Sequence, residues 1–506
     1  MIEKYFMIGL YFGILLILGY LASKRVKTMK DFVVGGKSLG FWVAAFSAQA
    51  TGESAWLLLG LTGMGAMIGF SAYWVVLGEL LGVFVMWFYM AGRFKRLTDR
   101  YDSMTVIDYL VSRFRCKTHL LRLVAALSLC TFVLIYIAAQ IDATGSAFET
   151  FLDWPYLTGA IFGFSIVTVY CLAGGFLAAA WTDMLQGAVM LACLILLPTV
   201  AIITMSHAGS IYDGLATIDP RLVAIWGAGG PTLLNIAAVL GMALIGLGFL
   251  GSPQVFARLI AIRSDQQISR GKWVALALTL LVDFSAVTIG VLGRYIFTET
   301  GTDPELVLGN GAQNVLPELV EYTFPPWIVG LYVAAVLSAI MSTVSSLIVM
   351  AAGSLTHDLY EQIYNPALND AQAARLCRII TFLLAVVALL IAVTVAVVSP
   401  DRTIFWFAIF GWSGIAATFC PMIILSLFWA GFTERAAIAS MLAGFFMTIA
   451  SKFLLQELHA VGDYFAALET MPPSFLSALL VGYWVSKAWP DESLSAHYRD
   501  DLAHCR

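Results

Sequence analysis

Apolar stretches of bilayer-crossing length recur along almost the whole chain, and this constrains its fold more than any other feature. A membrane-spanning helix needs roughly 20 predominantly apolar residues. Such stretches fall at 6–23, 39–64, 69–91, 122–148, 157–173, 177–205, 232–251, 273–298, 327–353, 378–399, 403–430, 435–455 and 472–488. Composition agrees, because 60% apolar residues, 12% charged residues and a mean hydropathy of +0.87 lie far outside the soluble range. The fold class expected is an all-α membrane protein of about 13 transmembrane helices. Phe6 to Ala22 lacks a basic n-region and a small-residue cleavage site, so it reads as a retained first span and not a signal peptide.

Two of these stretches are interrupted where a helix should be continuous, at Thr51-Gly52-Glu53-Ser54 and at Gly246-Leu-Gly-Phe-Leu-Gly-Ser-Pro253. Backbone groups freed at bilayer depth must face a cavity or an ion, and paired interruptions in two halves point to the midplane site of a secondary transporter. Five spans run from each break, in spans 2 and 7, to spans 6 and 11. An odd repeat length turns the second unit upside down relative to the first, which predicts a 5+5 inverted repeat. The boundaries read as a peripheral helix and loop at 1–38, one repeat at 39–205, an external loop at 206–231, a second repeat at 232–430, and two peripheral helices with a tail at 431–506. The polar stretches 93–121, 206–231, 299–326 and 354–376 read as loops.

Lysine and arginine set the orientation, because basic loops stay cytoplasmic. One set of alternate loops holds 23 of the 28 basic residues, leaving Lys4, Arg221, Arg294, Arg402 and Lys452 opposite. The amino terminus is expected outside and the carboxyl terminus, with Cys505, inside. A net charge of −4 gives no sign of a nucleic-acid partner. The seven cysteines show no C-x-x-C spacing. All six histidines, His119, His207, His357, His459, His497 and His504, read as loop or tail residues with no metal spacing.

Gly246-Leu-Gly248-Phe-Leu-Gly251 matches G-x-G-x-x-G, but a dinucleotide fingerprint needs a preceding strand and a downstream acid. Inside an apolar span the glycines fit helix unwinding, with Pro253 removing a further donor, or simple close packing. Gly65-x-x-x-Gly69 and Gly78-x-x-x-Gly82 read as packing motifs. Ala339, Ser342, Thr343 and Ser346 recur at i, i+3, i+4 and i+7 and share one helix face.

Val34-Gly-Gly-Lys37-Ser-Leu-Gly40, Ser47-Ala-Gln-Ala-Thr-Gly-Glu-Ser-Ala-Trp56, Gly174-Gly-Phe-Leu-Ala-Ala-Ala-Trp-Thr-Asp183, Gly251-Ser-Pro253 with Ala257-Arg258, and Leu337-Ser-Ala-Ile-Met-Ser-Thr343 leading to Asp358-Leu-Tyr360 carry a resemblance. The chain resembles the sodium:solute symporter family, and within it the sodium/proline symporters. The resemblance implies a LeuT-type fold, alternating access, and Na+ as coupling ion. It implies a sodium site built from the carbonyls of Ala50, Glu53 and Ala339 and the hydroxyls of Ser342 and Thr343. Sialic-acid members imply a second sodium site at Asp183, Ser342, Ser345 and Ser346, against which stands an Asp183 anchored by a basic loop residue. Substrate-facing positions by resemblance and location are Ser54, Ala55, Glu79, Tyr136, Gln140, Ile245, Phe249 and Pro253. Lys37 matches a functional arginine position and is expected at the cytoplasmic gate.

Departures from the proline pattern affect the solute. The aspartate usual in the first broken helix is replaced by Gly52 with Glu53 beside it, and the proline-enclosing aromatics by Ile245 and Phe249. Glu79 stands where proline members are apolar; Asp283 reads as structural, and Gln140 and Asp142 cannot face together. The function expected is sodium-coupled import of a small organic solute, an amino acid such as proline or a related zwitterion. The alternatives are a sugar or sialic-acid type transporter, or a proton-coupled carrier of an amine-bearing solute with Glu53 or Asp142 as proton site. A sensor would need a signalling domain beyond the tail after Trp489, and no nucleophile and base constellation suggests an enzyme.

Overall fold

The structure, a computed structural model, describes residues 2–205, 210–399 and 402–504. His207 and Cys505, both weighed above, lie outside the described residues. Among those described, every regular element is helical. That is what lipid demands, since helices satisfy their own backbone groups within one segment.

The main helices are α1 (Ile2–Ser23), α2 (Phe41–Gly52), α3 (Tyr73–Val85), α4 (Leu120–Leu152), α5 (Tyr156–Thr204), α6 (Leu233–Ala243), α7 (Pro253–Ala261), α8 (Asp265–Phe297), α9 (Pro326–Gly353), α10 (Asp370–Val398), α11 (Ile404–Phe428), α12 (Glu434–Ala450) and α13 (Met471–Ala488). Among the described residues ten helical runs are long and apolar enough to cross a membrane, or eleven if Gly462–Leu468 and α13, bent by 91°, form one broken span. Two of the ten, Trp56–Arg100 with 45 residues and α5 with 49, are longer than one crossing needs. At 1.5 Å per residue each would exceed a hydrocarbon core of about 30 Å twofold. Both change direction at a glycine with positive φ, Gly69 (φ 60, ψ −130) and Gly175 (φ 52, ψ −140).

The centre of the bundle is the run that starts with α9, where 94% of the most apolar window is buried, whereas α1, α10 and α12 face outward at 33%, 28% and 28%. Small residues let α9 sit there. Ala339, Ser342, Thr343 and Ser346 all have at most 2% exposure, and α9 packs on α1, α4, α5 and α2.

Both interruptions foreseen in the sequence are breaks. α2 ends at Glu53, whose backbone is extended (φ −83, ψ 120), and the chain resumes as a widened helical turn over Trp56–Leu61. After α6 the chain tightens into 3₁₀ geometry over Leu244–Leu250, breaks at Gly251 and Ser252, and restarts with Pro253 in the first turn of α7. The Gly78 face of α3 lies against the second break so closely that a Cβ on Gly78 would be 1.9 Å from the Ala243 carbonyl oxygen. At the ends of α2 and α7 that lie before and after the breaks, Leu39 N–H donates to the Ala261 carbonyl (3.0 Å) and Arg263 N–H to the Leu39 carbonyl (2.9 Å).

Two expectations need correcting. The polar stretches are not plain loops, since they contain the helices Val106–Phe114, Ile211–Ile218, Pro304–Leu308 and Val315–Thr323. His357 is not a loop residue either. A widened helix over Ser354–Tyr364 continues α9, and His357 is buried in it, bonded to Asp108 (2.9 Å) and Glu361 (2.8 Å). The amphipathic spacing of Val106–Phe114 is what brings Asp108 beneath that helix.

Candidate ion and solute site

The five oxygens named for a sodium site meet at the first break. Ser342 Oγ donates to the carbonyl of Ala50 (2.7 Å) and lies 3.1 Å from that of Ala339. Thr343 Oγ1 lies within 3.2 to 3.5 Å of four carbonyl oxygens, those of Ala339, Glu53, Thr51 and Ala50. A hydroxyl has one proton and cannot satisfy four acceptors. The cluster is therefore rich in acceptors and poor in donors, which is the donor set a hard cation takes. Every contributing residue is buried.

Next to this cluster the break holds a polar knot. Tyr136 Oη and Gln140 Nε2, one turn apart on α4, both donate to Ser54 Oγ at 3.2 and 3.1 Å, and Gln140 Oε1 accepts the Ala55 N–H at 3.0 Å. Gln140 thus caps a backbone donor that the broken helix cannot satisfy. Phe249 closes the opposite wall, its ring edge-on to Trp412 at 5.4 Å, and Trp412 Nε1 donates to the Ile245 carbonyl at 3.2 Å. Trp412, in the middle of α11, was not singled out from the sequence; an aromatic at mid-span was its only signal. Asp142 points elsewhere, to Arg402 Nε (3.0 Å) and Tyr156 Oη (2.7 Å), at the rim of a cavity of about 420 Å³ beyond the break.

The remaining acids fall into two groups. Asp183 Oδ2 accepts from Ser47 Oγ (2.6 Å), Arg258 Nη2 (3.1 Å) and Ser346 Oγ (3.4 Å), all wholly buried or nearly so. Of the proposed second sodium set, Ser346 reaches Asp183, Ser342 faces Ala50, and Ser345 Oγ donates to the Ser342 carbonyl of its own helix (3.0 Å). The Arg258 guanidinium from α7 supplies the positive charge beside Asp183. The second group is Glu53, Glu79 and Asp283, which bring one carboxylate oxygen each within 4.8 Å of one another. Glu53 Oε1 accepts from Gln49 Nε2 (2.5 Å), and Gln49 Oε1 accepts from Thr279 Oγ1 (2.9 Å). Thr279 and Asp283 are i, i+4 on α8, a shared face visible in the sequence. Asp283, expected as a structural residue, belongs to this group, and Glu79 faces it.

On the Lys37 side of the bundle, Lys37 Nζ bonds the Thr98 carbonyl (3.2 Å) and Asp99 (3.3 Å). Deeper there, Arg122 Nη1 bridges Asp358 (2.7 Å) and Asp108 (2.9 Å). Burial alone would raise the Asp108 carboxyl, but His357 and Arg122 outweigh it and hold it at about 2.

Two broken helices beside a small-residue helix, with main-chain carbonyls at the breaks turned to side-chain hydroxyls and an indole, define a secondary transporter of the inverted-repeat type. The substrate-bound, outward-open structure of a Na+-coupled sialic acid symporter has the same fold, with a TM-score of 0.77 over 97% of this chain and 98% of that one at 17% identity. The chain belongs to the sodium:solute symporter family, whose profile matches residues 32–444. It is similar to the high-affinity proline transporter PutP of Bacillus subtilis, 32% identical over 96% of this chain and 98% of the relative. It is also similar to the sodium/proline symporter of Escherichia coli, 32% identical over 86% and 84%. The protein is thus a sodium-coupled, multi-pass membrane transporter and not an enzyme.

Proposed function

We propose that this transporter imports proline or a closely related zwitterionic amino acid together with sodium across the plasma (inner) membrane. The observation that carries the reading is the oxygen cluster of Ala50, Glu53, Ala339, Ser342 and Thr343, one residue from the Ser54, Tyr136 and Gln140 knot. A cation held there orders the first break, and the ordered break presents Ser54 and the Ala55 backbone to the solute. Phe249, Trp412 and Ile245 give that space an apolar wall suited to a pyrrolidine ring or a short aliphatic side chain. The names of the relatives support proline as the first solute to test.

Thirteen crossings, with the amino terminus outside and the carboxyl terminus inside, are the topology we propose. The basic-residue asymmetry and the interruption of helical geometry at Gly69 and Gly175 support it. The two repeats then span 39–205 and 232–430, and Lys37, tied to Thr98 and Asp99, belongs to the inner gate. The Arg258 partner of Asp183 favours the anchoring role for that acid over a second sodium.

Reconstitution into liposomes tests the function. Labelled L-proline should accumulate with an inward sodium gradient and not with choline in its place. Accumulation of a sugar, a sialic acid or an amine instead would replace the solute, and accumulation driven by a proton gradient alone would replace the ion. An impermeant thiol reagent should leave Cys505 unlabelled in intact cells, and labelling without lysis would overturn the topology.

A further inference from the structure

We infer that Glu53, Glu79 and Asp283 form a second cation site, lined by carboxylates and distinct from the hydroxyl-lined one, that takes a dehydrated ion of the sodium class. Each of the three side chains is 0% exposed. They come from three elements, the first break, α3 and α8. Among the described residues, five of their six oxygens, all but Glu53 Oε1, accept no hydrogen bond from an N–H group or a hydroxyl. Asp183 has Arg258 and Asp142 has Arg402. Among the described residues no lysine, arginine or histidine forms an ion pair with any member of the trio.

Uncompensated carboxylates in such a place repel one another and cost several kcal/mol each. A monovalent cation at their centre, with protons on the carboxyls it does not neutralise, relieves both penalties. Size supports a bare ion. Three oxygens no more than 4.8 Å apart have a common point within about 2.8 Å of each, close to the roughly 2.3–2.6 Å at which a hard cation such as Ca²⁺ is held by carboxylate oxygens. The basic residues of α8 are remote: Arg294 is eleven residues further along, or about 16 Å at 1.5 Å per residue, and Lys272 is as far back.

Glu53 belongs to both sites, with its carbonyl facing Thr343 and its carboxylate facing Glu79 and Asp283. The inference rests on the proposed reading of the first site in this respect, because occupancy of either site fixes the same residue. It also gives a physical reason for an acid at position 53 beside Gly52. The Gln49 and Thr279 bonds hold the Glu53 carboxylate toward α8 and away from the hydroxyls of α9.

Direct binding of ²²Na⁺ to the purified full-length protein in nanodiscs, without solute, tests the inference. Wild type should bind two ions. Glu79→Gln with Asp283→Asn should bind one, and Ser342→Ala with Thr343→Ala should also bind one. Two ions bound by the Glu79 and Asp283 variant would overturn the carboxylate site. Two bound by the Ser342 and Thr343 variant would instead overturn the hydroxyl site, so the two failures are distinguishable. If the double carboxylate variant loses both ions, the single variants Glu79→Gln and Asp283→Asn decide: retention of one ion in either supports the site. Retention of two in both, or loss of both in each, overturns a separate second site.

Discussion

The ring of Phe249 occupies the space in which a side chain on residue 52 would begin: a Cβ on Gly52 would lie 2.6 Å from the Cε1 and Cζ atoms of that ring. The two broken helices therefore touch at their breaks through a glycine and an aromatic ring. The absence of an acid at position 52 and the presence of Phe249 are two halves of one packing solution. Trp412 backs the same ring edge-on.

Gly52→Ala should accordingly destabilise the protein by roughly 1–3 kcal/mol, the usual penalty for overpacking. In a Phe249→Ala background, itself expected to lose about 3–5 kcal/mol, adding Gly52→Ala should cost little further. Thermal unfolding in detergent reads both variants. Equal stability of Gly52→Ala and wild type would show that the ring gives way freely.

The proposed hydroxyl-lined ion site predicts a selective loss. Ser342→Ala with Thr343→Ala should raise the sodium concentration needed for half-maximal uptake at least about tenfold, some 1.4 kcal/mol. Membrane insertion and amount should be unchanged. Unaltered sodium activation would exclude these hydroxyls from the ion's ligands.

Solute recognition is tested at α4. Gln140→Ala removes the partner of both Ser54 Oγ and the Ala55 N–H. The apparent KM for the transported amino acid should rise roughly tenfold, while sodium binding measured without solute stays near wild type. If KM is unchanged, the Ser54 knot only braces the helix and does not read the solute.

Acid stability depends on the cluster beneath α9. Asp108 titrates at about 2 in the folded protein, below its ordinary 3.8. A carboxylate with a depressed pKa stabilises the fold above its ordinary pKa, and that stability is lost as pH falls through the folded value. The contribution is roughly 2 kcal/mol, present above about pH 4 and lost between about pH 4 and 2. Asp108→Asn should be less stable than wild type at pH 7 and show a shallower decline across that acid window. Parallel stability curves for the two proteins would refute the assignment.

Much of this was legible in the sequence because its signals are local. Gly, Ser, Thr and Pro inside apolar spans mark broken helices, and the i, i+3, i+4, i+7 spacing of Ala339, Ser342, Thr343 and Ser346 marks a polar face on α9. The partnerships among acids were not legible. Glu79 reaches Glu53 and Asp283 only because glycines let α3 approach the second break to van der Waals contact, which sets the rotation of α3. Helix rotation of this kind follows from packing across the bundle and leaves no mark on the residues nearby in sequence. Arg258 stood in a recognised stretch, but its reach to Asp183 depends on where α7 restarts after Ser252. His357 was misplaced because its polar neighbours read as a loop, although Asp108, Arg122 and Glu361 supply the charges that make a buried helical position tolerable.

The strand-like pairing of Leu39 with Ala261 and Arg263 ties one end of the first broken helix to the corresponding end of the second. Sliding one past the other would break two backbone hydrogen bonds, each worth about 1 kcal/mol net and more where no water replaces them. Mechanically the pair is a single yoke, so a tilt of one helix at the proposed Lys37 gate would carry the linked end of the other with it. The hydroxyls of the proposed ion site belong to α9 and its carbonyls mostly to the yoke. The proposed ion site thus lies between α9 and the yoke, where a bound cation would act as a removable pin between the two.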